Sequence, residues 1–134
     1  MDKKSIKILI VDDEEDIAYT SRDILEWEGF TVFAALNGFS ALEIFKKEHP
    51  QIAIIDIHLG YSNIDGLELV ERIKKIDSSV ECIIVTRIAD DKIKAKAAKL
   101  GVKKYLTKPV DTDKWVSEVM DAVNVLQGKE VSHG

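Results

Sequence analysis

The run Ile6-Lys7-Ile8-Leu9-Ile10-Val11, closed by Asp12-Asp13-Glu14-Glu15-Asp16, decides how the chain is read. It is short, almost continuously apolar and rich in β-branched residues, as suits a strand covered on both faces of a parallel sheet. Four further runs repeat its theme at Phe30–Ala34, Ile52–Ile57, Cys82–Val85 and, more weakly, Lys104–Leu106. Between them lie segments with helical periodicity. Ile17, Ile24 and Leu25 share a face of the first, and Leu42 and Phe45 mark the second. Leu69, Val70, Ile73 and Ile76 mark the third, and Ile93, Ala97 and Leu100 the fourth. The last carries Val116, Val119, Val123 and Leu126 in an i, i+3, i+7, i+10 stripe.

Connections fall where they should. Gly29 and Gly101 follow the first and fourth helical segments as C-terminal caps, and Asp111 or Thr112 can start the last. The pattern is five βα units over residues 1–127, followed by a polar segment, 128–134, that is either a tail or the start of a linker. Right-handed crossovers then put helices on both faces of a doubly wound, five-stranded parallel α/β sheet.

Composition narrows the function classes. A chain of 134 residues argues for one domain, and 46% hydrophobic with 32% charged residues is an ordinary globular balance. A net charge of −5 argues against direct nucleic-acid binding by the chain as a whole. No apolar run approaches the roughly 20 residues needed to span a bilayer, and the N-terminus lacks a signal-peptide core. With its single Cys82, read as an inert core residue, the chain is expected to be cytoplasmic. His49, His58 and His133 have no ligand spacing, so zinc or haem is not expected. Trp27 and Trp115 sit on helical segments and are expected to pack rather than to recognise bases.

In open parallel sheets ligands bind outside the carboxyl ends of the strands. Here those ends carry Asp12 and Asp13, Asp56, Thr86, and Lys108 followed by Pro109. Three clustered carboxylates raise one another's pKa unless a cation compensates, and partly hydrated Mg²⁺ suits an all-oxygen donor set. Lys108 adds a point charge for a carboxylate or phosphoryl oxygen, and Thr86 a hydroxyl donor. A carboxylate in such company is equipped to attack phosphorus, and Asp56, after the most apolar strand, is the candidate nucleophile.

The elements Ile8-Leu9-Ile10-Val11-Asp12-Asp13-Glu14, Ile54-Ile55-Asp56-Ile57, Asp65-Gly66-Leu67-Glu68, Val85-Thr86 and Tyr105-Leu106-Thr107-Lys108-Pro109 resemble, in order and spacing, the receiver domain of two-component response regulators. The likeness runs from Ile6 to about Leu126. It implies a flavodoxin-like (βα)5 fold with strand order 2-1-3-4-5. It implies Asp56 as phosphoacceptor, with Thr86 and Lys108 contacting the phosphoryl oxygens. Asp13 and Asp56 would be direct Mg²⁺ ligands, Asp12 would act through water, and the His58 backbone carbonyl would be the third protein ligand. Tyr105 would be the aromatic switch, although it reads equally well as a half-buried packing residue. Lys108–Pro109 would be a cis peptide.

As partners the resemblance implies a sensor histidine kinase or phosphotransfer domain as donor. It also implies an output domain or protein met through the fourth helix, fifth strand and fifth helix, and it leaves room for a phosphorylation-dependent homodimer. Such a domain catalyses its own phosphorylation and dephosphorylation and is not an enzyme in the ordinary sense. The basic run Lys92, Lys94, Lys96, Lys99, Lys103 and Lys104 is either a solvated face or part of that docking surface.

Two other functions compete. A receiver-fold docking module would act without phosphorylation. An Asp-nucleophile phosphatase of the haloacid-dehalogenase type would need a second Asp two residues after Asp56, where His58 stands. Three departures from the family pattern concern rates. Arg87 stands where Ala or Gly is usual, and would either narrow access to Asp56 or pair with the phosphoryl group. The loop 59–64 is about two residues longer than usual, and Gly60 replaces a common Pro.

Overall fold

A computed structural model describes residues 2–59, 64–88 and 90–128. After a 3-10 turn at Lys3–Ser5, strands and helices alternate without exception: β1 (Lys7–Val11), α1 (Glu15–Trp27), β2 (Thr31–Ala35), α2 (Gly38–Glu48), β3 (Ile52–Asp56), α3 (Gly66–Ile76), β4 (Glu81–Thr86), α4 (Asp91–Lys99), β5 (Lys104–Thr107) and α5 (Thr112–Leu126). All pairings are parallel and the strand order is β2-β1-β3-β4-β5. The expected doubly wound α/β architecture is therefore present, with no strand limit shifted by more than one residue.

Alternation within the strands builds two cores. Leu9, Val11, Ala53, Ile55, Cys82 and Ile84 face one side, where Leu42 and Phe45 of α2, Leu69 and Ile73 of α3, and Ala97 of α4 cover them. Ile8, Ile10, Ile52, Ile54, Ile83 and Val85 face the other, under Leu25 of α1 and Trp115, Val119 and Val123 of α5. β3 is buried at every position, which is why its sequence shows no polar alternation.

Helix ends follow side-chain chemistry. Asn37, Asp65, Asp90 and Asp111 each accept a backbone N–H at the start of α2, α3, α4 and α5. Gly29 and Gly101 sit at φ +106° and +87°, conformations that a side chain disfavours. The Lys108–Pro109 peptide is cis. Among the described residues, no helix is long and apolar enough to cross a membrane.

Three helix-face expectations need correction. Trp27 is 91% exposed rather than packed. α1 buries Ala18, Ser21 and Leu25, and a residue two places beyond Leu25 projects from the opposite side. Ile76, the final residue of α3, is 46% exposed because the apolar stripe ends one turn earlier at Ile73. The buried stripe of α5 runs through Trp115, Val119, Ala122 and Val123, rotated from the expected one so that Val116 is only half-buried.

Candidate functional site

Parallel topology brings every strand's carboxyl end to one rim. β1 delivers Asp12 and Asp13, β3 ends on Asp56, β4 ends on Thr86, and β5 leads into Lys108. The Lys108 N–H donates to the Thr86 carbonyl at 2.7 Å, extending the β4–β5 ladder to the lysine itself.

The rim has a single recurring local device. Asp12 Oδ1 accepts the N–H of Glu14 at 2.9 Å, and Asp56 Oδ1 accepts the N–H of His58 at 3.1 Å. Thr86 Oγ1 likewise accepts the N–H of Ile88 at 3.3 Å. Each is a side chain bonding the backbone two residues on, the local turn that Asp and Thr favour. It directs each strand-end side chain inward and leaves the second oxygen of each carboxylate to face its neighbours.

Those second oxygens share one ammonium group. Lys108 Nζ donates to Asp12 Oδ2 at 2.7 Å and to Asp56 Oδ2 at 3.0 Å, and all three side chains are more than nine-tenths buried. Burial alone would push Lys108 towards neutrality, but its hydrogen bonds to the two carboxylates outweigh that and raise its pKa. Asp12 is raised above the usual carboxylate range, chiefly by burial, although Lys108 and the Glu14 N–H act in the opposite direction. Asp13 is exposed, yet one oxygen from each of Asp12, Asp13 and Asp56 lies within 4.8 Å of the others.

Three carboxylates thus face one lysine. The two negative charges left over match a divalent cation, and the donors are all hard oxygens of the type that Mg²⁺ takes. The donor set fits the ion.

A cavity of about 390 Å³ opens from Asp12, Asp56 and Lys108. Its far wall is apolar, formed by Ile17 and Ile24 of α1 and by Val110 and Trp115. The phosphoacceptor candidate therefore lines a cavity between α1 and the start of α5.

The remaining expected residues are placed as follows. Thr86 is fully buried at the end of β4. His58 is exposed just past Asp56, which its N–H reaches. Tyr105 is half-buried against the α2–α4 side, its hydroxyl shielded from solvent and its ring 5.3 Å from Lys94 Nζ. Burial, followed by the charge of Asp90, raises its pKa. Of the loop 59–64, Leu59 and Ile64 are buried, whereas residues 60–63, Gly60 included, lie outside the described residues. Arg87 lines the same cavity as Asp56 and does not stand alone. It forms an ion pair with Glu14 across the rim, which raises its own pKa and lowers that of Glu14.

Two contributors were not assigned a physical role from sequence. Glu14 belongs to the acidic run and to the first element of the family resemblance, and neither singles it out as the partner of Arg87. Gly66 was one element of a motif, and its reason is steric. A Cβ there would meet the Asp56 carbonyl oxygen at 2.3 Å and Ile57 Cα at 2.6 Å, so α3 can begin directly behind Asp56 only without a side chain. The Gly66 N–H, bonded to the Ile57 carbonyl at 3.1 Å, locks this approach.

Known proteins resemble this chain. Residues 8–120 match the family model described as response regulator receiver domain. The chain is 35% identical to sporulation initiation phosphotransferase F of Bacillus subtilis, over 87% of this chain and 90% of that protein. It is 34% identical to the chemotaxis protein CheY of Halobacterium salinarum, over 88% of this chain and 93% of that one. Other relatives are much longer, and the chain spans only 26% of an NtrX-like putative response regulator of Rickettsia bellii at 37% identity. The crystal structure of a CheY-like receiver domain protein from Methanospirillum hungatei superposes with a TM-score of 0.87 at 28% identity, covering 92% of this chain and 97% of that one. With its fold, its strand-end residues and its relatives in agreement, the chain belongs to the response regulator receiver domain family of two-component signalling.

Proposed function

We propose that Asp56 accepts a phosphoryl group from a histidine kinase or phosphotransfer domain, and that the resulting charge switches the domain's conformation. A carboxylate oxygen of Asp56 forms the new P–O bond while the P–N bond of the donor phosphohistidine breaks, and its electron pair leaves on the imidazole nitrogen. Asp12, Asp13 and Asp56, with the His58 backbone carbonyl, are the residues that would hold Mg²⁺. The ion would supply neutralisation of charge at the transferring group. Lys108 and Thr86 pair with the phosphoryl oxygens, and Tyr105 follows Thr86 as it moves.

The observation that carries this reading is the shared ammonium. Lys108 already bonds one oxygen of Asp56 and one of Asp12, so the cation that phosphoryl transfer needs is in contact with the nucleophile. Autophosphorylation from small donors and autodephosphorylation by water follow from the same groups, with no external substrate beyond the donor. In this reading the domain is cytoplasmic, with output through α4, β5 and α5 and, in the phosphorylated form, room for a homodimer.

Intact mass after incubation with acetyl phosphate and Mg²⁺ tests it. A gain of one phosphoryl group is expected, lost in Asp56→Asn and lost when the metal is chelated. A gain of the same size in Asp56→Asn would move the acceptor elsewhere and overturn the assignment.

A further inference from the structure

Among the described residues, four of the five α-helices start on an Asn or Asp that caps its own first turn. α1 does not. Its N-cap is Glu14, whose side chain makes no cap hydrogen bond and instead crosses the rim to Arg87. The pair therefore joins the connection after β1, which carries Asp12 and Asp13, to the connection that begins directly after Thr86 of β4.

Both partners are open to water, with Arg87 63% and Glu14 40% exposed, against 6% for Lys108. An ion pair so exposed holds weakly and gives way readily to a stronger anion. Arg87 also lines the cavity that contains Asp56 and Lys108, and the charges of Asp12 and Asp56 both act on it. A phosphoryl group on Asp56 would bring three acceptor oxygens and added negative charge into that cavity. A guanidinium fork matches such oxygens in a bidentate way that Lys108 does not.

We propose that Arg87 is a phosphoryl-binding residue held in reserve: Glu14 keeps its guanidinium at the rim until Asp56 carries the phosphoryl group, whose oxygens then draw it away. The inference rests on the reading of Asp56 as acceptor. Glu14 and the phosphoryl group compete for one cation, so removing Glu14 strengthens phosphoryl binding and removing Arg87 weakens it. A passive clasp between the two connections would instead make both removals act in the same direction.

Beryllofluoride with Mg²⁺, an acyl-phosphate mimic, is the probe, titrated against the full chain and followed by NMR of backbone amides and of the Arg87 Nε–Hε group. Affinity is expected to fall about tenfold in Arg87→Ala, as for a lost charge-assisted contact, and to rise by up to about fivefold in Glu14→Gln, as for release of an exposed pair. The Nε–Hε resonance of the natural chain should move on binding. Unchanged affinity in Arg87→Ala, affinity no tighter in Glu14→Gln, or a stationary Nε–Hε resonance would each overturn the proposal. If the natural chain fails to bind the probe, or Asp56→Asn binds it equally well, the acceptor assignment itself fails instead. Both side chains are exposed, so the amide spectra of the variants should retain the dispersion of the natural chain.

Discussion

Two lysines, four residues apart around β5, each sit between two carboxylates, and they are put to different uses. Lys108 contacts Asp12 at 2.7 Å and Asp56 at 3.0 Å; Lys104 contacts Glu118 at 2.8 Å and Asp121 at 3.6 Å. The acids around Lys104 come from a single face of α5, three residues apart, and Lys114 approaches Glu118 as a second cation at 3.8 Å. Charge there is balanced, and the cluster fastens α5 to β5. The acids around Lys108 come from two different strands, are each braced by a backbone N–H, and have Asp13 beside them. Charge there is left negative. A balanced cluster is mortar between elements, whereas a braced cluster with surplus negative charge is a place for a cation and for an anion that follows it.

The largest way to break this contrast is to exchange each lysine for Met. Lys108→Met should slow phosphorylation by acetyl phosphate by about a hundredfold, as for loss of a preorganised charge at the reacting group. Lys104→Met should leave that rate within about twofold, since it alters no group at the rim. Equal losses, read by intact mass over time, would mean that the two clusters are one functional unit.

A second change tests whether bracing matters without touching any charge. Gly66→Ala drives a methyl group into the backbone of Asp56 and Ile57, and should cost about 2 kcal/mol in urea unfolding, as overpacking typically does. The same variant should phosphorylate more slowly, because the Asp56 backbone must shift. Normal kinetics in a destabilised protein would show that the position of Asp56 tolerates that shift. The smallest expected effect is the stability loss in Lys104→Met, about 1 kcal/mol for a half-buried pair, measured by the same unfolding assay.

Much of this was legible in the sequence. Continuous β-branched runs announced strands covered on both faces, and the order of strand-end residues pointed to the rim, because parallel topology turns sequence order into convergence. What was not legible depended on azimuth and on distant pairing. Trp27 is apolar and helical, yet it projects to water because the buried face of α1 is fixed by Ala18, Ser21 and Leu25, small or unremarkable residues that a hydrophobic pattern underweights. Arg87 was visible as an odd residue, but its partner Glu14 lies 73 positions away within a run of five acids. Periodicity carries no information about which of five carboxylates turns outward.

The contacts of Lys108 reach back 52 and 96 positions along the chain, and those of the rim as a whole span four of the five strands. No contiguous piece shorter than about three-quarters of the protein contains the set, and no sheet lacking β1, β3, β4 or β5 presents it. Any modification that requires all of these groups consequently reports that these four strands have assembled. A nascent or damaged chain would stay silent in the signalling pathway without any separate inspection, and two complementary fragments would regain the modification only on reassembly.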